Sequence, residues 1–338
     1  MAPPDADPFF GMDGVVALMG DVMLGRGVRE ALAAMTPEEP WGDVLPLLRS
    51  ASARILNLEC AVTRSERRWM RTPKIFHFRA DPVPAVRVLE AASIDACSLA
   101  NNHSLDFEVE GLEETISTLD RAGIGHAGAG PDLASARRPA LLPGGIALVS
   151  CTDNEPDFAA DGGWGTFYLP VSTDAATLAR VESAIAAARR AGARTVIFAD
   201  HWGPNMVERP PPHFRAFARE VIDRGADVFF GHSAHLTQGV EIHRGRPILY
   251  DTGDFLDDYA VDPVLRNDRS CLFLLRLEDG APVGLTLVPV SLGYARVEVA
   301  RGAERRAILD RMDALSGELG TALREEAGAL AWGRAAPR

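Results

Sequence analysis

The sequence predicts an α/β domain built on parallel strands, and three observations carry that prediction. Short Val-, Ile- and Leu-rich runs recur along the first 260 residues, helical periodicities alternate with them, and most of the runs end in a cluster of Asp, Glu, Asn or His. Apolar runs without polar alternation suit strands covered on both faces, and strand–helix alternation at this spacing calls for helical crossovers between parallel strands.

In chain order, strands are expected at 15–19, 54–58, 96–99, 146–150, 195–199, 227–230 and 247–250, with helices at 81–91, 111–122, 177–191 and 214–224. After about residue 270 the pattern changes to antiparallel strands at 270–277, 285–290 and 295–299, joined by Gly/Pro turns such as Glu278-Asp279-Gly280-Ala281-Pro282. Ile308, Leu309, Met312, Leu315, Leu319 and Leu323 recur at helical spacing, so 303–330 reads as an amphipathic helical tail. No repeat or low-complexity linker divides the chain. The expected organisation is a flexible segment over 1–13, one domain over 14–300, and a helical tail over 301–338 packed on it.

Composition narrows the function. The 338 residues carry a net charge of −12, which argues against binding nucleic acid through phosphate neutralisation. Cys60, Cys97, Cys151 and Cys271 are widely spaced, so neither a zinc-thiolate site nor a disulfide framework is expected. The acidic, proline-rich start is unlike a signal peptide, and no apolar stretch reaches the ~20 residues of a membrane span. A cytoplasmic protein without a membrane partner is expected.

The chemistry is expected at the strand ends. The runs lead into Gly20-Asp21, Asn57-Leu58-Glu59, Asn101-Asn102-His103 with Asp106, Asp200-His201-Trp202, Gly231-His232 with His235, and Asp251 with Asp254. In an open parallel sheet the carboxyl ends of strands converge on one crevice, where ligands bind. Taken singly, Asp21 suits a helix cap, and Asn102 and Asp106 suit turns. Glu59 is harder to place, because a carboxylate ending a buried strand needs a partner. His77, His126, His213 and His243 read as ordinary hydrogen-bonded histidines.

Together these segments resemble a known family. Gly20-Asp21-Val22-Met23-Leu24-Gly25-Arg26, Asn57-Leu58-Glu59, Ala100 to Asp106, Ala122 to Gly130, His201-Trp202-Gly203, Gly225 to His232 with His235, and Gly253-Asp254-Phe255 run in order over 14–256. They are similar to the CapA-type family, named for poly-γ-glutamate capsule synthesis, which has the calcineurin-like metallophosphatase fold. The resemblance implies a two-sheet β-sandwich flanked by helices, four layers αββα, with metal at the strand ends. It implies one divalent ion, Ca²⁺, Mg²⁺ or Mn²⁺, held by Asp21, Glu59, Asn102, His201 and His235. Met23 stands where the family has a histidine, and a thioether does not hold a hard ion, so a second metal site is weakened.

By the same resemblance His103, His232, Asp21, Asp106 and Asp254 are the acid–base residues. A carboxylate fixes the tautomer of its histidine and raises its basicity. The expected pairs are His103 with Asp106 or Asp21 and His232 with Asp254, while Asp200 beside His201 offers another. Lys74, Arg79, Arg26 and Trp202 are expected to contact substrate, with Trp69 and Trp164 as further walls. Family members without a membrane anchor resemble lasso-peptide epimerases, so the favoured activity is exchange of the α-proton of a C-terminal residue in a ribosomal peptide precursor. Metal-dependent hydrolysis of a phosphoester or γ-glutamyl amide, and a non-catalytic binding module, stay open as alternatives.

Overall fold

The computed structural model describes residues 14–333; the 1–13 segment and 334–338 lie outside them. Two sheets stack face to face. The first runs, in spatial order, Arg324–Glu326, Ala329–Gly333, Ala281–Gly293, Arg269–Glu278, Val15–Val22, Ala53–Leu58, Ala96–Ser98 and Gly125–Ala127. The strands from Val15–Val22 to Gly125–Ala127 are parallel, and Arg269–Glu278 joins Val15–Val22 antiparallel. The second runs Val240–His243, Arg246–Leu249, Val228–His232, Thr195–His201, Ile146–Thr152 and Ala140–Leu142. Its four middle strands are parallel.

The period-2 alternation of a strand sorts the apolar side chains into layers. Val16, Leu18, Ile55 and Phe273 of the first sheet meet Leu148, Ile197, Val228 and Phe230 of the second in one buried layer. Their neighbours Ala17 and Met19 face outward onto helices Pro82–Ala91 and Glu108–Ala122. Val149, Val196, Phe198 and Phe229 face helices Ala175–Arg190 and Pro212–Asp223. This is the expected αββα stack, and the near-continuous apolar runs arise because both faces of each sheet are covered.

The tail departs from expectation. Helix Gly302–Glu318 presents Ile308, Leu309 and Met312 to the layer between the sheets, but it stops there. Gly320 takes a φ of 82°, and the chain turns back into the hairpin Arg324–Glu326 and Ala329–Gly333, which extends the first sheet beside Ala281–Gly293. The helical spacing runs on through Leu319 and Leu323, whereas the positive-φ glycine breaks the helix.

One crossover positions the site. After Arg246–Leu249 in the second sheet, residues 251–253 carry the chain across to the first, where Asp254–Leu256 pairs with Val15–Val22 and sets Asp254 level with Asp21. Gly20 permits that approach: a Cβ there would lie 1.8 Å from the Gly253 carbonyl oxygen. All four cysteines are buried and unpaired, as expected of inert core thiols. No helix among the described residues is long and apolar enough to cross a membrane.

Candidate metal centre and acid–base site

The strand ends of both sheets meet over Asp21. His201 and His232 are register partners on adjacent parallel strands, so their side chains project from the same face. Their Nδ1 atoms lie 2.9 Å apart, with Asp21 Oδ1 3.8 Å from the first and 3.7 Å from the second. All three residues are fully buried. Burial holds the His201 imidazole well below its ordinary pKa, against the pull of Asp21, and lowers that of His232 to about 4. Both imidazoles are therefore neutral near pH 7 and have lone pairs to offer. Asn57 Nδ2 fixes Asp21 Oδ1 at 2.8 Å and approaches His201 Nδ1 at 3.3 Å.

A second group shares Asp21. Asp21, Glu59, His235 and Asp254 place one donor atom each within 4.8 Å of one another. His235 Nδ1 stands 2.8 Å from Asp254 Oδ1 and 3.4 Å from Asp21 Oδ2. Burial, and then the Asp21 charge, push the Glu59 carboxyl well above its usual pKa. For Asp21 burial acts upward too, but His235, His201 and His232 draw it below the usual carboxylate range. His235 moves the other way: burial opposes its charge, yet Asp254, Glu59 and Asp21 hold it well above the ordinary value. The loop carrying it takes positive φ at Ser233 (117°) and at His235 (57°), backbone strain that clusters at functional sites. Asp251 holds the loop in that shape by accepting from the backbone N–H of Ala234 and Gly253.

The third component is His103. Its Nδ1 stands 2.6 Å from Asp106 Oδ2, which also accepts from Phe78 N–H at 2.6 Å. Phe78 stacks on the imidazole with centroids 3.9 Å apart. Nε2 faces Glu59 Oε1 at 3.8 Å, the same oxygen that His235 Nε2 approaches at 4.0 Å. Burial lowers the His103 pKa despite Asp106. His103 and His235 both line a cavity of about 540 Å³, together with Arg26, Phe76, Phe78, Asn102, Met206 and Tyr259.

Several expectations need correction. His232 does not pair with Asp254; the tight turn after Gly231-His232 swings His235 onto Asp254 and leaves His232 against His201 and Asp21. Asp200 precedes His201 on a strand, so it points away, toward Cys151 and Asp153, and cannot serve that imidazole. Trp202 is buried among Phe214, Phe229 and Tyr250, and its Nε1 donates to the Tyr250 carbonyl, so it supports the second sheet from behind. Trp69 is likewise buried, edge-on to Phe158. Arg79 is bound to the carbonyl oxygens of Arg64 and Ser65 and lies over Phe107, away from the cavity. Asn102 lines the cavity with its Oδ1 buried and unpartnered, while Asn101 takes the structural role, bonding Asn57 Oδ1 and the Leu58 carbonyl. Arg26 keeps its expected place: its guanidinium lies 5.5–6.0 Å from the rings of Phe76, Phe78 and Tyr259. Tyr259, whose hydroxyl donates to Glu59 Oε2 at 3.3 Å, and Glu155, which meets Lys74, escaped the sequence reading because no motif marks them. Asn57, named with Glu59 at the end of its strand, is brought onto Asp21 as that placement implies.

The donors present fit a divalent ion. Glu59 Oε1 and Asp254 Oδ2 are buried without a hydrogen-bond partner, and the Nδ1 atoms of His201 and His232 converge with Asp21 Oδ1. Buried polar atoms left unmatched cost free energy, and ligand bonds of about 2.0–2.6 Å set donors at about the separations observed here. Met23 takes no part: its sulfur accepts from Gly25 N–H at 3.0 Å.

The profile of the bacterial capsule synthesis protein PGA_cap matches residues 15–259. The chain belongs to this family. The site residues from Asp21 to Tyr259 all fall inside the PGA_cap match. Among curated relatives, the probable polyglutamine synthesis accessory protein of Mycobacterium tuberculosis is 31% identical, over 90% of this chain and 92% of that protein. The capsule biosynthesis protein CapA of Bacillus anthracis is 25% identical, over 82% of this chain and 67% of that protein. Among solved structures, the protein TT1561 of Thermus thermophilus shows a loose likeness, 14% identical with a TM-score of 0.46, over 83% of this PGA_cap chain and 99% of that one.

Proposed function

We propose that this PGA_cap protein is a metal-dependent acid–base enzyme that exchanges the α-proton of a peptide-type substrate, the chemistry of an epimerase. In its narrowest form the substrate is the C-terminal residue of a ribosomal peptide precursor such as a lasso peptide. One observation carries the reading: two His–carboxylate pairs, His103–Asp106 and His235–Asp254, come from loops of opposite sheets and open on one cavity. A lone base returns a proton to the face it left, whereas two bases on different elements serve both faces. One imidazole removes the α-proton, the electron pair moves into the adjacent carbonyl, and the other imidazole delivers a proton to the opposite face. Asp21, His201 and His232 would hold the ion, which supplies Lewis-acid polarisation of that carbonyl or of a neighbouring carboxylate. Two imidazoles beside a carboxylate suit Mn²⁺ better than Ca²⁺, which prefers an all-oxygen shell.

A second reading is hydrolysis of an amide or phosphoester. The sharing of Asp21 between two donor groups favours it, because a bridging carboxylate is what a two-ion clamp needs. Mn²⁺-loaded protein in D₂O, given peptides with free carboxyl ends, a γ-linked oligoglutamate and a simple phosphoester, separates the two. Epimerisation puts deuterium at an α-carbon in an uncleaved chain; hydrolysis releases an amine or phosphate and leaves the α-carbon unlabelled. Turnover with clean cleavage and no α-deuterium overturns the first reading.

A further inference from the structure

Lys74 is the only lysine in the chain. Lys74 lines the cavity, but its side chain is only 6% exposed and its ammonium meets protein acceptors. Nζ donates to the Asn102 carbonyl at 2.6 Å and to Glu155 Oε1 at 3.3 Å, and stands 3.4 Å from Asp106 Oδ1. Two hydrogen bonds and the ion pair with Asp106, from the 102–106 loop and from Glu155, engage the ammonium with the protein rather than with a substrate carboxylate.

The same contacts bear on His103. Asp106 Oδ2 is held by Phe78 N–H and faces His103 Nδ1, while Oδ1 has the ammonium as its neighbour and no hydrogen bond of its own. A carboxylate held at one oxygen can still turn about its terminal torsion, which is soft; a cation at the other oxygen fixes its plane. The Asn102 carbonyl immediately precedes His103, so one ammonium anchors both the orienting carboxylate and the backbone that carries the imidazole.

We propose that Lys74 is a positioning residue for the His103–Asp106 pair, locking the Asp106 carboxylate so that His103 Nδ1 is engaged and Nε2 is presented to the cavity. The catalytic consequence rests on the acid–base role proposed for His103; the geometry is testable without it. Because the chain has one lysine, side-chain ¹⁵N-lysine labelling gives a single ammonium resonance. That resonance is expected to be protected from solvent exchange and to shift in both Asp106→Asn and the milder Glu155→Gln. Rapid exchange, or indifference to both substitutions, overturns the proposal.

Lys74→Met is expected to move the His103 imidazole ¹⁵N signals. It should also lower kcat for α-deuterium incorporation by about 10–100-fold, the range typical of orienting partners. KM is expected to hold, and Lys74→Arg should recover part of the rate. A raised KM at unchanged kcat makes Lys74 a substrate ligand and overturns the proposal. Absence of α-exchange in the wild-type protein defeats the epimerase reading, while the lysine and histidine signals still decide the role of Lys74.

Discussion

His201 Nδ1 and His232 Nδ1 lie 2.9 Å apart on neighbouring strands. Both can direct lone pairs inward only with a cation between them and Asp21; otherwise one imidazole must donate to the other. His232→Ala is therefore expected to weaken Mn²⁺ binding by more than about tenfold, the lower end of the loss seen when even an outer partner of a ligand is removed. Titration calorimetry reads this directly. An unchanged affinity would take His232 out of the metal centre.

The two donor groups are expected to answer pH differently. Burial keeps His201 and His232 neutral, the latter with a pKa near about 4, so protons do not compete for them until the medium is well below the ordinary histidine range. Binding of a first ion should stay level from pH 8 down to about 5. At the second group the pKa values of His235 and Glu59 are both pushed upward, so an ion there competes with protons and binds more tightly as pH rises. In the metal-free protein the depressed His232 pKa makes the unfolded chain the better proton binder. Its contribution to stability is present above about 6.5 and is lost as pH falls toward about 4. Mn²⁺ titrations across this range, in buffers of different ionisation enthalpy, check the release of protons; a first ion lost already at about pH 6.5 contradicts the assignment.

Gly20→Ala tests the crossover that sets Asp254 beside Asp21. The added Cβ would meet the Gly253 carbonyl oxygen at 1.8 Å, with the Thr252 carbonyl oxygen at 2.9 Å. Backbone on both sides must shift, and a loss above about 4 kcal/mol is expected, a size reserved for severe local conflict. Urea denaturation of the metal-free protein measures it. A loss under about 1 kcal/mol would mean the two strands are not in close contact.

Arg79 and Arg26 should separate by property. Arg79 is engaged with two backbone carbonyls and lies over Phe107, so Arg79→Ala is expected to cost about 1–3 kcal/mol of stability and to leave Mn²⁺ affinity unaltered. Arg26 is 40% exposed with a 3.4 Å contact to Asp258, so Arg26→Ala should cost less than about 1 kcal/mol and act on substrate binding. Melting curves set against KM distinguish them; the reverse pattern would show that the cavity has been placed on the wrong side of Phe78.

The layers and the meeting of the strand ends were legible in the sequence because apolar runs covered on both faces leave a plain signature, and polar residues ending them stand out. Asp21, Glu59, His103, His201, His232 and His235 come together as the strand ends imply. Pairing within the site was not legible, since sequence proximity does not say which way a side chain points. Asp200 is adjacent to His201 yet faces the opposite side of the strand, and His232 loses Asp254 to His235 through a turn with positive φ at non-glycine residues. The Lys74 ammonium reads as a free cation until its partners, brought from the 102–106 loop and from Glu155, are seen. The helical tail was overextended because apolar spacing alone does not reveal that Ala329–Gly333 completes a sheet edge.

Anomalous diffraction from crystals soaked in Mn²⁺ tests the metal centre most directly. A single dominant peak within ligand distance of Asp21, His201 and His232 is the expected result. A map without a peak there at saturating Mn²⁺, or with its peak elsewhere on the molecule, would contradict the account.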